Sequence, residues 1–410
     1  MATHELEITT MAHGGSGIGR VDGRVVFTPG VIPGEVVEVE IVEDSKKSLW
    51  RAQPLRVLSP SPHRIPHIWP EADIERPWAT RAGGADYGHI ELSHQRTLKT
   101  DILRDALRRF GGLSGDLVDS LEVKGVPGDD EKAGLAWRTR VTLHADAEGR
   151  LGPYAEKSHT VIPVTTLPLA TENIQTCGVL DSRYAGAESV RVVDALSGVR
   201  LIIDNQKPQE LSEFVSGVEF RLSDQTFWQV HHQAPEVLQG AIKRAVQLDR
   251  LDPAARNADL YSGVGLLGAA LAELAPSTLS LTGVESDENA LPYLMQNLDG
   301  RTDLTTVADR VDRWLRREVG GLSATSAGEW ARATVILDPP RSGAKSDVIS
   351  SLEKLRPTQI VYVACDPVAL GRDTGLLNQA GYDMVFVEAW DLFPHTHHME
   401  TIATFVRREE

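Results

Sequence analysis

The 410-residue sequence predicts an α/β fold: an open, mostly parallel sheet with helices on both faces, preceded by a small antiparallel barrel and a mixed α+β centre. Three observations carry that expectation. From about residue 236 short apolar runs (279–284, 335–337, 360–364) alternate with helical periods, as in a doubly wound sheet. From 6 to 58 brief alternating runs such as Val25-Val26-Phe27 are broken by Gly14-Gly15, Gly17, Gly19, Pro29-Gly30 and Pro33-Gly34, a pattern of short strands and tight turns. Between them neither pattern persists: a helix is expected over 93–110 and strands near 138–145 and 190–203. With Ser59-Pro60-Ser61-Pro62 as a linker, the chain divides at 1–60, 61–235 and 236–410, the helix 93–110 being free to pack on the last unit.

Composition bounds the function. With 41% apolar and 24% charged residues the chain can bury a sizeable core. Residues 1–10 lack a basic segment followed by an apolar one, and no apolar run reaches the length of a membrane span, so a cytoplasmic, membrane-free protein is expected. Cys177 and Cys365, its two cysteines, lie far apart, which argues against a disulfide framework or an all-cysteine metal site. A net charge of −16 opposes binding to phosphates globally. Locally the balance differs: residues 1–64 hold seven basic side chains (Arg20, Arg24, Lys46, Lys47, Arg51, Arg56, Arg64) against eight acidic ones, and Arg104, Arg108 and Arg109 form a stripe at helical spacing. A solvated surface is the competing reading of these charges.

The informative residues end the apolar runs. Asp259 opens the glycine loop 259–268, Glu285 follows 279–284, Asp338 follows 335–337 and Cys365 follows 360–364. Doubly wound sheets bind ligands outside the carboxyl ends of their strands, so the four converge on one crevice. Gly263, Gly265 and Gly268 spell G-x-G-x-x-G, and with Glu285 they fit NAD as well as S-adenosylmethionine. Asp259 at the loop entrance would repel a pyrophosphate and face the cationic amino-acid end of S-adenosylmethionine. Asp338-Pro339-Pro340-Arg341 makes a rigid acceptor edge suited to holding a base against a methyl group.

Cys365 is followed 35 residues later by Glu400, which closes Pro394-His395-Thr396-His397-His398-Met399-Glu400. A thiolate can add to C6 of a uracil and make C5 nucleophilic, and a carboxylate across the ring can then remove the C5 proton. Each residue has a structural competitor: buried filler for Cys365, a solvated carboxylate for Glu400, packing for Tyr261, turn geometry for the glycines. His395, His397 and His398 lack the partner set of a zinc site, so no metal is expected, and Cys177 is read as structural.

These residues resemble the uracil-C5 RNA methyltransferase family that modifies tRNA and 23S rRNA, over nearly the whole chain. The resemblance implies a class I methyltransferase domain (Rossmann-like) behind an OB-like TRAM barrel, the latter on Gly14-Gly15-Ser16-Gly17-Ile18-Gly19-Arg20 and Pro33-Gly34-Glu35. It implies S-adenosylmethionine as donor and RNA, rRNA or tRNA, as partner. Phe227-Trp228-Gln229-Val230 is similar to the family's Phe-x-Gln-Val motif, so Gln229 would contact donor or base. Tyr261, Gly263 and Glu285 would line the donor pocket, Glu285 on the ribose hydroxyls, with Asp309 near the adenine and Asp338 near the donor or the uracil edge. Cys365 matches the nucleophile and Glu400 the base. A flipped uridine could stack on Trp228, and Arg341, Arg372 or the histidines near 395 could activate the thiol.

Two departures stand out. The family's iron–sulfur ligand positions read Pro66-His67-Ile68-Trp69-Pro70, Ala82-Gly83-Gly84-Ala85 and Thr166-Leu167-Pro168, so no such cluster is expected. The family's Gln-Val-Asn is Gln229-Val230-His231 here. Two other classes compete: a non-catalytic RNA-binding protein, opposed by the presence of both Cys365 and Glu400, and a nicotinamide-dependent oxidoreductase, which leaves the barrel and the Cys/Glu pair unexplained.

Overall fold

A computed structural model describes residues 3–46, 49–155 and 158–409. Lys47, counted above among the basic residues, lies outside the described residues, as does the side chain of Lys46. Strands β1 (Thr3–Glu7), β2 (Thr10–Met11), β3 (Ser16–Val21), β4 (Arg24–Pro29), β5 (Val36–Lys46) and β6 (Leu49–Ser59) form one sheet in the order β1-β5-β6-β4-β3-β2. Leu6, Val26, Val37 and Val39 are fully buried inside it, the period-2 alternation that the sequence displays. The pairing is antiparallel except between β4 and β6, which run parallel. The expected linker is not loose. Fully buried Glu35 accepts from the backbone N–H of Ile32 and Ser61 and takes both Nε and Nη2 of Arg64 at 2.6 and 2.7 Å, which also removes Arg64 from the free basic residues.

The middle begins with α1 (Leu92–Arg109), α2 (Asp116–Asp119) and β7 (Val123–Gly125). A four-stranded antiparallel sheet follows, built from β8 (Arg140–Ala145), β9 (Leu151–Gly152), β10 (Ser189–Ala195) and β11 (Gly198–Ile203), with α3 (Glu172–Thr176) beside it and the hairpin β12 (Glu210–Val215)–β13 (Val218–Ser223) after it. The segments that replace iron–sulfur ligands pack here: Trp69, Ala82, Ala85 and Leu167 share one apolar core.

From α4 (Ala234–Ala245) onward the chain alternates β14 (Asn257–Leu260), α5 (Leu266–Leu274), β15 (Leu279–Glu285), α6 (Leu291–Leu298), β16 (Thr302–Ala308), α7 (Val311–Gly320), α8 (Ala324–Trp330), β17 (Thr334–Leu337), α9 (Lys345–Leu355), β18 (Gln359–Ala364), α10 (Pro367–Gln379), β19 (Tyr382–Asp391) and β20 (Glu400–Arg407). The sheet order is β16-β15-β14-β17-β18-β20-β19-β7. Val335, Leu337, Ile360 and Tyr362 enter the core on one face, Ile336, Val361 and Val363 that on the other. Burial on both faces is why these strands read as continuous apolar runs.

The chain order crosses the expected division at residue 236. β7 pairs parallel with β19, and Leu103 and Leu107 of α1 share a core with β17 and β18. α1 lies so close to α10 that a Cβ at Gly371 would stand 2.5 Å from the Ala106 carbonyl oxygen. The basic stripe on α1 is largely paired at the surface, Arg108 with Asp119 and Arg109 with Asp105.

Candidate active site

The order of the sheet reverses between β14 and β17, and the crevice of a doubly wound sheet opens at such a point. A cavity of about 1100 Å³ lies there. Among the residues that line it are Gln229, Tyr261, Gly263, Glu285, Asp309, Asp338, Cys365 and Glu400.

Cys365 and Glu400 meet through strand direction. β20 runs antiparallel to β18 with Ala364 opposite Thr401, so one step further along the register Cys365 stands beside Glu400. Cys365 occupies the turn into α10, where Asp366 caps the helix by accepting from the Ala369 N–H at 2.8 Å. The Glu400 carboxyl is buried, and its Oε1 has no hydrogen-bond partner among the described residues. Burial, reinforced by the Asp338 charge, holds it well above the usual carboxylate range. Asp338, at the end of β17, is pushed up to about 7 by burial and by the charges of Asp259 and Glu285. Burial and the Glu400 and Asp338 charges push the Cys365 thiol up to about 12, against an opposing pull from Arg341.

The other end of the cavity follows β14 and β15. Tyr261 and Gly263 adopt left-handed backbone (φ 66° and 50°), and Gly263 donates its N–H to Glu285 Oε2 at 2.9 Å, tying the loop to the next strand. Glu285 also accepts from the Asp287 N–H, and lone pairs remain for ribose hydroxyls. Asp309 is engaged by Arg313 and Arg317, and the Arg317 hydrogen bond holds its carboxyl below the usual range. The Gln229 side chain makes no hydrogen bond among the described residues. Glu285 and Asp338, carboxyls without a basic partner among the described residues, stand at this end and suit the cationic groups of S-adenosylmethionine, while Asp309 and Asp312 beside them are paired with Arg317 and Arg310.

Three placements differ from expectation. Asp259 does not line the cavity: buried beneath the glycine loop, it accepts from the Gly268 N–H at 2.9 Å and is pushed up to about 7, mainly by burial. Trp228 is 5% exposed and packs on Phe220 in the core, whereas its neighbour Phe227, 69% exposed, faces the cavity. Alternation along 227–229 turns Phe227 and Gln229 to one side and Trp228 to the other, a signal that the sequence carried. Of the proposed activators, Arg372 is exposed and away from the cavity, and His395 is a structural pin, its Nε2 2.8 Å from the Ala133 carbonyl and its Nδ1 3.0 Å from Gln95 Nε2. Arg341 remains, lining the cavity with Nη2 3.3 Å from His398 Nε2. Burial pushes His398 down to about 3, so the neutral ring accepts from the guanidinium and orients it.

Arg138, which nothing in Trp137-Arg138-Thr139 signals, also lines the cavity; its Nε donates to the Arg140 carbonyl, and it has no carboxylate partner among the described residues. His231, at the family's Asn position, is fully buried, stacks on Trp137 and sets Nε2 3.2 Å from Asp129 while its Nδ1 accepts from the Gln233 N–H. That pairing anchors the segment that presents Gln229. No group of three or more His, Cys, Asp or Glu is placed to hold a metal ion, and no helix is long and apolar enough to cross a membrane, among the described residues.

Known proteins resemble this chain in both of its recognisable parts. Residues 2–53 match the TRAM domain model and residues 306–408 the tRNA (uracil-5-)-methyltransferase model. An uncharacterized RNA methyltransferase of Streptomyces avermitilis is 31% identical over 98% of this chain and 97% of its own length. One from Corynebacterium efficiens is 32% identical over 99% and 95%. The solved tRNA (uracil-54, C5)-methyltransferase of Pyrococcus abyssi, in complex with S-adenosyl-L-homocysteine, shares the fold at a TM-score of 0.67 and 19% identity, covering 98% of this chain and all of that one. A TRAM barrel joined to a methyltransferase sheet, with full-length relatives above 30% identity, makes this chain a member of the TRAM-containing RNA methyltransferase family of the uracil-5 type.

Proposed function

We propose that the chain methylates C5 of a uridine in tRNA by covalent catalysis through Cys365, with Glu400 as the base. The observation that carries this reading is the Cys365–Glu400 juxtaposition on antiparallel strands, at the floor of a cavity whose other end suits a sulfonium donor. S-adenosylmethionine supplies an electrophilic methyl group when bound. Gln229, Tyr261, Gly263, Glu285, Asp309 and Asp338 would hold it.

The uridine leaves its stack to expose both ring faces, and Phe227 takes the place expected of Trp228 as its aromatic contact. Arg138 and Arg341, cations of the cavity without carboxylate partners among the described residues, suit the RNA phosphates. The Cys365 sulfur bonds to C6 and the electron pair moves through C5, which takes up the methyl group. Glu400 then removes the C5 proton, the C6–S bond breaks, and the C5–C6 double bond re-forms with the thiolate released. Arg341 stabilises the thiolate. The choice of tRNA over rRNA rests on the matched family model and on the substrate of the Pyrococcus abyssi enzyme.

RNA with uridine replaced by 5-fluorouridine tests the proposal. Fluorine cannot leave as a cation, so a donor-dependent protein–RNA adduct is expected on a denaturing gel, absent in Cys365→Ala. No adduct with total tRNA, under conditions where the donor binds, sinks the covalent reading for tRNA; an adduct with rRNA alone moves the substrate.

A further inference from the structure

The loop between β2 and β3 of the N-terminal barrel reaches the turn that carries the nucleophile. His13 places Nε2 2.8 Å from Asp366 Oδ2, and the other oxygen of that carboxylate accepts from the Ala369 N–H. Gly15 in the same loop (φ 79°) comes so close that a Cβ there would stand 2.6 Å from Asp86 Oδ2 and 3.3 Å from His397 Cβ. Asp86 Oδ2 is itself held by the His397 ring and backbone N–H, and the His13 and His397 rings meet edge to face at 5.9 Å. The barrel is therefore keyed into the catalytic rim at two adjacent points, one of them the residue after Cys365.

We propose that His13 is a positioning residue for the nucleophile: it holds the Asp366 carboxylate between the barrel and the start of α10, so that this charge does not swing toward the Cys365 thiolate. Asp366 is an acceptor only, so the ring donates from Nε2. The thiolate already faces Glu400, Asp338 and Asp366 on the acidic side and Arg341 on the basic side. Among the acids, Asp366 is adjacent in sequence and has both oxygens satisfied elsewhere, one by the Ala369 N–H of α10 and the other by His13 of the barrel. Seating of the barrel thereby sets the reactivity of a thiol in another domain.

The inference rests on Cys365 being the nucleophile, but its test needs neither RNA nor donor, so its failure and the failure of that reading are separate results. In full-length protein carrying Cys177→Ser, iodoacetamide uptake at Cys365 is followed by intact mass between pH 7 and 10. H13A is expected to alkylate about three- to ten-fold more slowly than the parent at a given pH. D366N, which keeps a good helix cap, is expected to alkylate faster, and H13A/D366N to match D366N. H13Q, whose amide reaches the Nε2 position, stays within about two-fold of the parent. Equal slowing by H13A in both backgrounds, or none in either, overturns the proposal. If H13A does not fold, D366N decides alone: alkylation no faster than the parent's overturns it.

Discussion

Lys99 and Glu400 are both buried ionisable side chains, one in the seam between α1 and the sheet, the other on the cavity floor, and their surroundings are opposite. The Lys99 ammonium donates to Asp391 Oδ1 at 2.5 Å and to the Phe393 carbonyl at 3.2 Å. The Glu400 carboxyl has an oxygen with no partner and the like charge of Asp338 nearby. The same contrast separates His231, bonded through both ring nitrogens, from Cys365, ringed by carboxylates. Buried charge that is paired holds the fold together; buried charge left unpaired stores a cost that a ligand or a reaction step can relieve.

That division can be broken most directly at the cavity floor. Cys365→Ala and Glu400→Gln should each lower methylation of tRNA by roughly a thousand-fold or more, while Tm stays nearly level, because both groups are held in their neutral forms and no paired charge is lost. Activity and Tm falling together would erase the distinction. Lys99→Met should do the reverse, costing about 3–5 kcal/mol in urea unfolding by stranding Asp391. The low end is expected, because Arg96 lies 3.6 Å from the other Asp391 oxygen and takes up part of the charge. Pairing Lys99→Met with Asp391→Leu should recover most of that loss, and methylation by the folded fraction of either variant should remain within a few-fold of normal.

The pH dependence sharpens the comparison. With the thiol near 12 and Glu400 raised, both reactive forms grow as pH rises, so kcat/KM should climb by more than about ten-fold and up to about a hundred-fold per unit from pH 6 to 8 without falling before pH 9. A slope of about ten-fold per unit would exclude one of the two roles and a flat profile both. The smallest effect belongs to Asp259. Its carboxyl is raised in the fold to about 7, so its contribution to stability is fully present below the unfolded value near 3.8 and is lost as pH rises through 7. Tm should therefore decline from pH 5 to pH 8. Asp259→Asn, which keeps an acceptor for the Gly268 N–H, should flatten that decline and raise Tm at pH 8 by roughly 2–4 °C.

Local pattern made much of this legible. Apolar runs buried on both faces marked β15, β17 and β18, and the acidic, glycine and cysteine residues closing β14, β15, β17 and β18 marked the crest of the sheet. Side-chain direction was less legible. Trp228 was expected at the base and lies in the core, Asp259 was expected at the donor and braces the loop, and Arg64 was counted as a surface cation and is locked to buried Glu35. Trp228 and Asp259 turn on which side of the backbone a side chain leaves, which one residue's step reverses, and Arg64 on a partner 29 residues away.

From its own letters the chain determined that a thiol, a carboxylate and a donor loop would end neighbouring strands, because strand-end position follows from hydrophobic runs and turn residues that are local. That Cys365 and Glu400 stand side by side depended on β20 folding back antiparallel between β18 and β19. That α1 and β7 complete a sheet whose other strands begin more than a hundred residues later, and that His13 of the barrel reaches the turn after Cys365, depended on packing between distant segments. Such contacts are set by the shape and charge of whole surfaces, and those exist only once each unit has folded.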